Sequence, residues 1–142
     1  MIARTNVKAY FSLFGDDFPL DDVSLMLDTQ PTETRAKGQL SRNNTIINET
    51  SWTLGTEYEE SLDVSEQLNK IVKRLIHKVD TINQLQQNYN LRCKFVIVIK
   101  IEDGMTPSLF FDQRIIEIIS KLKAEIDIDL YANPYRSEFE DG

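Results

Sequence analysis

Asp127, Asp129 and Tyr131 stand at period two near the end of a 142-residue chain. Residues two apart in an extended strand share one face at a spacing of about 7 Å, so these side chains form a single row. Paired carboxylates at that distance suit general acid and base work or the binding of a hard cation. A plainer use also fits them, because charge on the solvent side of a sheet discourages pairing with another chain. A second acidic group, Asp16, Asp17, Asp21 and Asp22, has the composition of a metal site. The start of a helix accounts for it equally well, since the helix dipole favours anions in the first turn and Pro19 fits there.

The rest of the reactive inventory is thin. One histidine, His77, and one cysteine, Cys93, leave most zinc and nucleophilic mechanisms without their parts. Glycine-rich phosphate loops, paired Cys or His spacings and nucleophile elbows are missing from the sequence. Cys93 falls in an apolar row, where a thiol acts as a small hydrophobe. His77 belongs with Lys70, Lys73 and Arg74 to a solvated helix face or a docking stripe. The expectation is therefore no catalytic residue, no metal and no cofactor, with the balance against an enzyme.

The element around which the chain is organised is Leu91 to Ile101, the one long β-branched run. Cys93, Phe95, Ile97, Ile99 and Ile101 lie on one face. Val96 and Val98 centre the other, flanked by Lys94 and Lys100. Such a strand is expected at the centre of a sheet, packed under helices. The valine face has no evident cover in the sequence, so it is the first place to look for a binding surface.

Other elements follow in order. Val7 to Phe14 alternates as a first strand, with Val7, Ala9, Phe11 and Leu13 against Lys8, Tyr10, Ser12 and Phe14. After Gly15-Asp16-Asp17, a turn, comes a short helix with Val23, Met26 and Leu27 inward, ending before Pro31. Thr32 to Asn44 reads as loop. Thr45 to Ile47 and Ser51 to Leu54 read as two short strands or one bent one, with Trp52 either in the core or on a pocket wall. Asp63-Val64-Ser65-Glu66 resembles a capping box opening a helical region that runs to about Tyr89, with Asp80-Thr81 suited to a second start. A turn at Glu102-Asp103-Gly104 and an apolar loop from Met105 to Phe111 lead to a helix capped by Asp112, with Ile115, Ile116, Ile118, Ile119 and Leu122 inward. In the last strand Ile126, Ile128 and Leu130 point inward, and the short return implies a right-handed parallel crossover from the central strand. Pro134 ends that strand.

The net charge of −7 disfavours binding along nucleic-acid phosphate and suits a basic protein partner or simple solubility. The N-terminus is too short and polar for a signal sequence, and no apolar run reaches membrane-spanning length, so a cytoplasmic location without membrane contact is expected.

Tyr10-Phe11-Ser12-Leu13-Phe14-Gly15-Asp16-Asp17-Phe18 resembles the opening of a family of small, mostly bacterial proteins described as a domain of unknown function, numbered four-two-seven-nine. Pro31-Thr32, the Gly38 loop, Ser51-Trp52-Thr53-Leu54 and Ala124 to Tyr131 resemble its later blocks in the same order. The resemblance covers nearly the whole chain. It implies a small α+β domain and brings no catalytic residues with it.

The expected fold is α+β: one domain over residues 1–136, a twisted mixed sheet with helices mainly on one face. Its core is expected to be ferredoxin-like with an appended helix and strand, and residues 137–142 to form a frayed acidic tail. The expected function is a protein-binding module, by analogy an immunity protein that neutralises a bacterial toxin. The alternative is a small-molecule-binding regulatory domain, with Trp52 and Met105 to Phe111 walling its pocket. Trp52, Lys94, Val96, Val98, Lys100, Asp127, Asp129 and Tyr131 are the candidate binding residues.

Overall fold

The computed structural model describes residues 4–133; the expected tail and Pro134 lie outside them. Six strands, β1 (Asn6–Gly15), β2 (Glu33–Arg35), β3 (Thr50–Gly55), β4 (Glu59–Glu60), β5 (Arg92–Ile101) and β6 (Glu125–Ala132), form one open sheet. The path through it is β2-β3-β1-β5-β6, with β4 continuing beside β3 against the start of β1. All pairings are antiparallel except β5 with β6, the crossover expected from the short return. Four helices, α1 (Leu20–Leu27), α2 (Val64–Leu75), α3 (Val79–Tyr89) and α4 (Gln113–Lys121), join the strands. The fold is α+β.

Strand parity explains the core. Val7, Ala9, Phe11 and Leu13 of β1 are fully buried, as are Phe95, Ile97 and Ile99 of β5 and Trp52 and Leu54 of β3. They meet Val23 and Leu27 of α1, Leu68 and Ile71 of α2, Ile82 and Leu85 of α3, and Ile115 and Ile118 of α4 in one cluster. All four helices therefore lie on the same face of the sheet. Phe11 and Phe95 face each other across β1 and β5, ring centroids 5.2 Å apart and tilted by 53°, an arrangement that avoids stacking like quadrupoles.

Local chemistry sets the helix ends. The Asp63 carboxylate accepts from the Ser65 amide at 3.0 Å, while the Asp63 amide donates to Ser61 Oγ at 3.1 Å. Ser61 thus takes the half of the capping box expected of Glu66. The long helical region is two helices, broken at Ile76-His77-Lys78. Asp112 caps α4 by accepting from the Ile115 amide at 2.9 Å. Asp28 and Asn90 close α1 and α3 in the left-handed conformation that short polar side chains tolerate.

Four expectations need correction. The stretch read as loop from Thr32 contains β2, too short and too charged to show a period. Thr45 to Ile47 is not a strand; Ile46 makes an isolated bridge to Leu40 and is largely exposed. Met26 and Ile116, read as inward, are exposed, because α1 and α4 each bury a narrower stripe than their apolar content implies. Ile126 and Leu130, also read as inward, are 41% and 58% exposed. They point to the helix side, but β6 is the last strand and the helix layer does not extend over it.

Candidate binding face

The face without helices carries Lys8, Tyr10, Ser12 and Phe14 from β1, the polar alternates of its core residues. Register places Tyr10 beside Val96 and Lys8 beside Val98, with Asp127 and Asp129 on the far side of the valines. On the other side of β1, Tyr10 lies opposite Gly55, where a missing side chain makes room for it. A Cβ at Gly55 would stand 2.8 Å from the Cβ of Tyr10. Ser41, residues 45–49 and residues 55–58 line, with Tyr10, Ser12, Phe14, Thr53 and Lys94 of the strands, an open trough of about 920 Å³. A hollow of about 380 Å³ adjoins it through Lys8, Tyr10 and Tyr58 and continues over Val98, Lys100, Asp129 and Tyr131.

Two aromatic rings mark the ends of the trough, and each collects two cations. Lys8 and Lys100 bring their ammonium groups to 4.7 and 4.2 Å from the Tyr58 ring centroid. Lys94 Nζ and the Arg92 guanidinium stand 5.2 and 5.4 Å from that of Phe14. The negative π-face attracts the cations, and each such contact contributes about 0.5–1 kcal/mol at an exposed site. Arg92 also pairs with Glu125 on β6. Lys8, Lys94 and Lys100 enter none of the ion pairs among the described residues. Burial raises the phenol pKa of Tyr10 above its ordinary 10.0, and the charges of Asp129, Asp127 and Glu33 raise it further.

Of the candidate residues, Lys94, Val98, Lys100, Asp129 and Tyr131 line this continuous surface. Asp127 is exposed on the same face beside Val96. The expectation of an uncovered valine face is corrected: Val96 is 1% and Val98 6% exposed, shielded by their own neighbours. A ligand here meets aromatic rings, ammonium groups and carboxylates rather than an apolar patch. Trp52 is separated from the group. It lies in the core, its indole N–H donating to Ser24 Oγ of α1 at 2.9 Å. Neither Trp52 nor any residue from Met105 to Phe111 lines the trough or the hollow beside it. Trp52 pairs with Leu13 at one end of β1, whereas the Met105 carbonyl accepts from Thr5 Oγ1 beyond the other, about 26 Å away at strand rise.

Tyr10, Phe14 and Lys8 are functional candidates that sequence reading passed over, although their alternation with the core residues of β1 placed them on this face. Tyr58 gave no signal, since Thr56 to Tyr58 has no period and its place over Lys8 and Lys100 depends on the β3–β4 break. The acidic group at α1 is dispersed: Asp21 and Asp22 fall in the first turn, Asp16 pairs with Lys37, and Thr50 Oγ1 donates to Asp17 at 3.5 Å. Among the described residues no three His, Cys, Asp or Glu side chains converge on a metal-sized site, and no helix is long and apolar enough to cross a membrane.

A family model described as Domain of unknown function (DUF4279) matches residues 5–133. The chain belongs to that family. The match begins just before β1 and ends just after β6, so it takes in the whole described sheet with its helices. No curated protein and no solved structure matches the chain.

Proposed function

We propose that this member of the family is a non-enzymatic, cytoplasmic bacterial protein-binding module that presents the helix-free face of its sheet to a partner. The observation that carries the reading is the paired convergence of Lys8 and Lys100 on Tyr58 and of Arg92 and Lys94 on Phe14, with Tyr10 between. Aromatic and arginine side chains dominate the energy of protein interfaces, and rings already held by neighbours lose little entropy on binding. From Lys8 to Phe14 the trough runs about 20 Å along β1, room for roughly six residues of extended chain. Both signs of charge line it, while the net −7 steers approach by a basic protein. Neutralising a bacterial toxin is the cellular role in this reading, by analogy with other small acidic binding proteins. We also read β2-β3-β1-β5 with its helical connections as a ferredoxin-like core, to which α4 and β6 are appended.

Affinity purification from native lysate tests the reading, with the wild-type chain and a Phe14→Ala/Tyr58→Ala variant as baits. The wild type is expected to retain a specific protein that the variant loses. Equal recovery by both baits would move the interface off this face, and a gene neighbourhood without a toxin-like product would remove the immunity role. A second reading, a small-molecule regulatory domain, draws support from the trough volume, which lies within the range of ligand sites. Its mixed polar lining calls for a polar ligand, and a thermal-shift screen whose hits vanish in the same variant would favour it.

A further inference from the structure

We infer that the outer edge of β6 accepts an extended segment of a partner protein in which basic and apolar residues alternate, added to the sheet as a further strand. The inference rests on the protein-binding reading but uses the strand edge beside the trough, sharing Asp129 with the adjoining hollow.

The sheet ends at β6, and among the described residues nothing pairs with its outer side. An edge strand offers a row of free N–H and C=O groups, which a second chain can satisfy with main-chain hydrogen bonds. The opposite edge, β2, has three residues, whereas β6 has eight, longer than a typical strand. The side chains of β6 sort strictly by face. Glu125, Asp127 and Asp129 lie with Lys94, Val96 and Val98 on the helix-free side, and Ile126, Ile128 and Leu130 lie with Phe95, Ile97 and Ile99 on the helix side. Ile126 and Leu130 keep the parity of a core strand yet remain 41% and 58% exposed. An adjoining strand with apolar residues on that side would cover them.

Charge selects the occupant. Arg92 already pairs with Glu125 at the start of the acidic row, whereas Asp127 and Asp129 enter none of the ion pairs among the described residues. Lysine or arginine opposite them would extend the pattern that Arg92 begins. A second copy of β6 is disfavoured, because antiparallel self-pairing would set these carboxylates against each other, and like charges directly opposite destabilise a sheet. The strand therefore repels itself and attracts an alternating basic and apolar segment.

Titration of the isotope-labelled full chain with a capped peptide of about eight alternating Lys and Val residues, a typical strand length, tests this by NMR and amide exchange. The peptide is expected to shift β6 resonances and to protect alternate β6 amides. Asp127→Lys/Asp129→Lys should weaken it by about tenfold or more, while Asp21→Lys/Asp22→Lys, an equal charge change on α1, should not. Absence of binding, protection confined to other elements, equal binding of a peptide with its lysines and valines in separate blocks, or a dimer of the chain joined through β6 would each overturn the proposal. Should the β6 variant fail to fold, a peptide N-methylated at alternate residues decides against the wild type: loss of binding supports strand addition, and retention overturns it. Failure here leaves the Phe14/Tyr58 bait comparison intact, so the two readings fall separately.

Discussion

The thiol of Cys93 donates a hydrogen bond to the carbonyl oxygen of Leu122, Sγ to O 3.3 Å, tying the buried face of β5 to the C-terminus of α4. Burial, with a smaller contribution from the negative charge of Glu125, pushes this thiol up to about 12 from its ordinary 9.0. Thiolate chemistry is therefore suppressed in the folded chain. Ellman's reagent at pH 8 is expected to label Cys93 only as the protein unfolds; labelling of the folded chain at the rate of a free thiol would contradict the packing.

The same shift sets a pH dependence. A raised folded-state pKa means that the native state holds its proton longer than the unfolded one. The contribution to stability is whole below pH 9.0 and is lost as pH rises toward about 12. Tyr10 shifts in the same direction from 10.0 and adds to the alkaline loss. The urea midpoint should fall across this window, with a shallower slope in Cys93→Ala.

Removal of the Ser24 hydroxyl would leave the indole N–H of Trp52 unpaired in the core. Ser24→Ala is expected to cost about 1–3 kcal/mol by urea denaturation. A change close to zero would show that the indole finds another acceptor.

Phe95 and Ile97 are fully buried at the centre of β5. Phe95→Asp or Ile97→Asp places an unpaired carboxylate there at a cost of several kcal/mol, enough to unfold a domain of ordinary stability. Loss of the cooperative thermal transition is the expected result, and an unchanged midpoint would refute the packing of β5.

Gly55→Ala puts a Cβ 2.8 Å from that of Tyr10 and 3.3 Å from the Ala9 carbonyl oxygen. Both neighbours belong to the central strand β1, so relief requires the β1–β3 pair to move. The variant is expected to lose about 1–3 kcal/mol in urea denaturation and to displace the Tyr10 ring resonances. Wild-type stability with unshifted Tyr10 would mean that this pairing yields easily.

Much of the architecture was legible because it is local. Side-chain parity along a strand follows from backbone pleat alone, and this separated Phe11 from Tyr10, Phe95 from Val96 and Ile128 from Asp127 before any tertiary contact was known. The Asp63 and Asp112 caps were legible for the same reason, since a carboxylate reaches amides two or three residues ahead. The parallel return from β5 to β6 followed from the short strand–helix–strand connection.

What surrounds each face was not local. Val96 and Val98 looked uncovered, but Tyr10 and Lys8, more than 80 residues earlier in the chain, shield them once β1 pairs with β5. Ile126 and Leu130 looked like core because their parity is that of core residues; only the position of β6 at the sheet edge leaves them exposed. Trp52 and Met105 shared apolar character, and strand register put them at opposite ends of β1. The sequence by itself therefore determined which side of each strand is apolar, through the two-residue repeat of the extended backbone. Tertiary structure alone decided which of those sides are covered, because burial depends on pairings between residues far apart in the chain. That distinction places Asp127, Asp129 and Tyr131 on the helix-free side of the last strand of the described sheet.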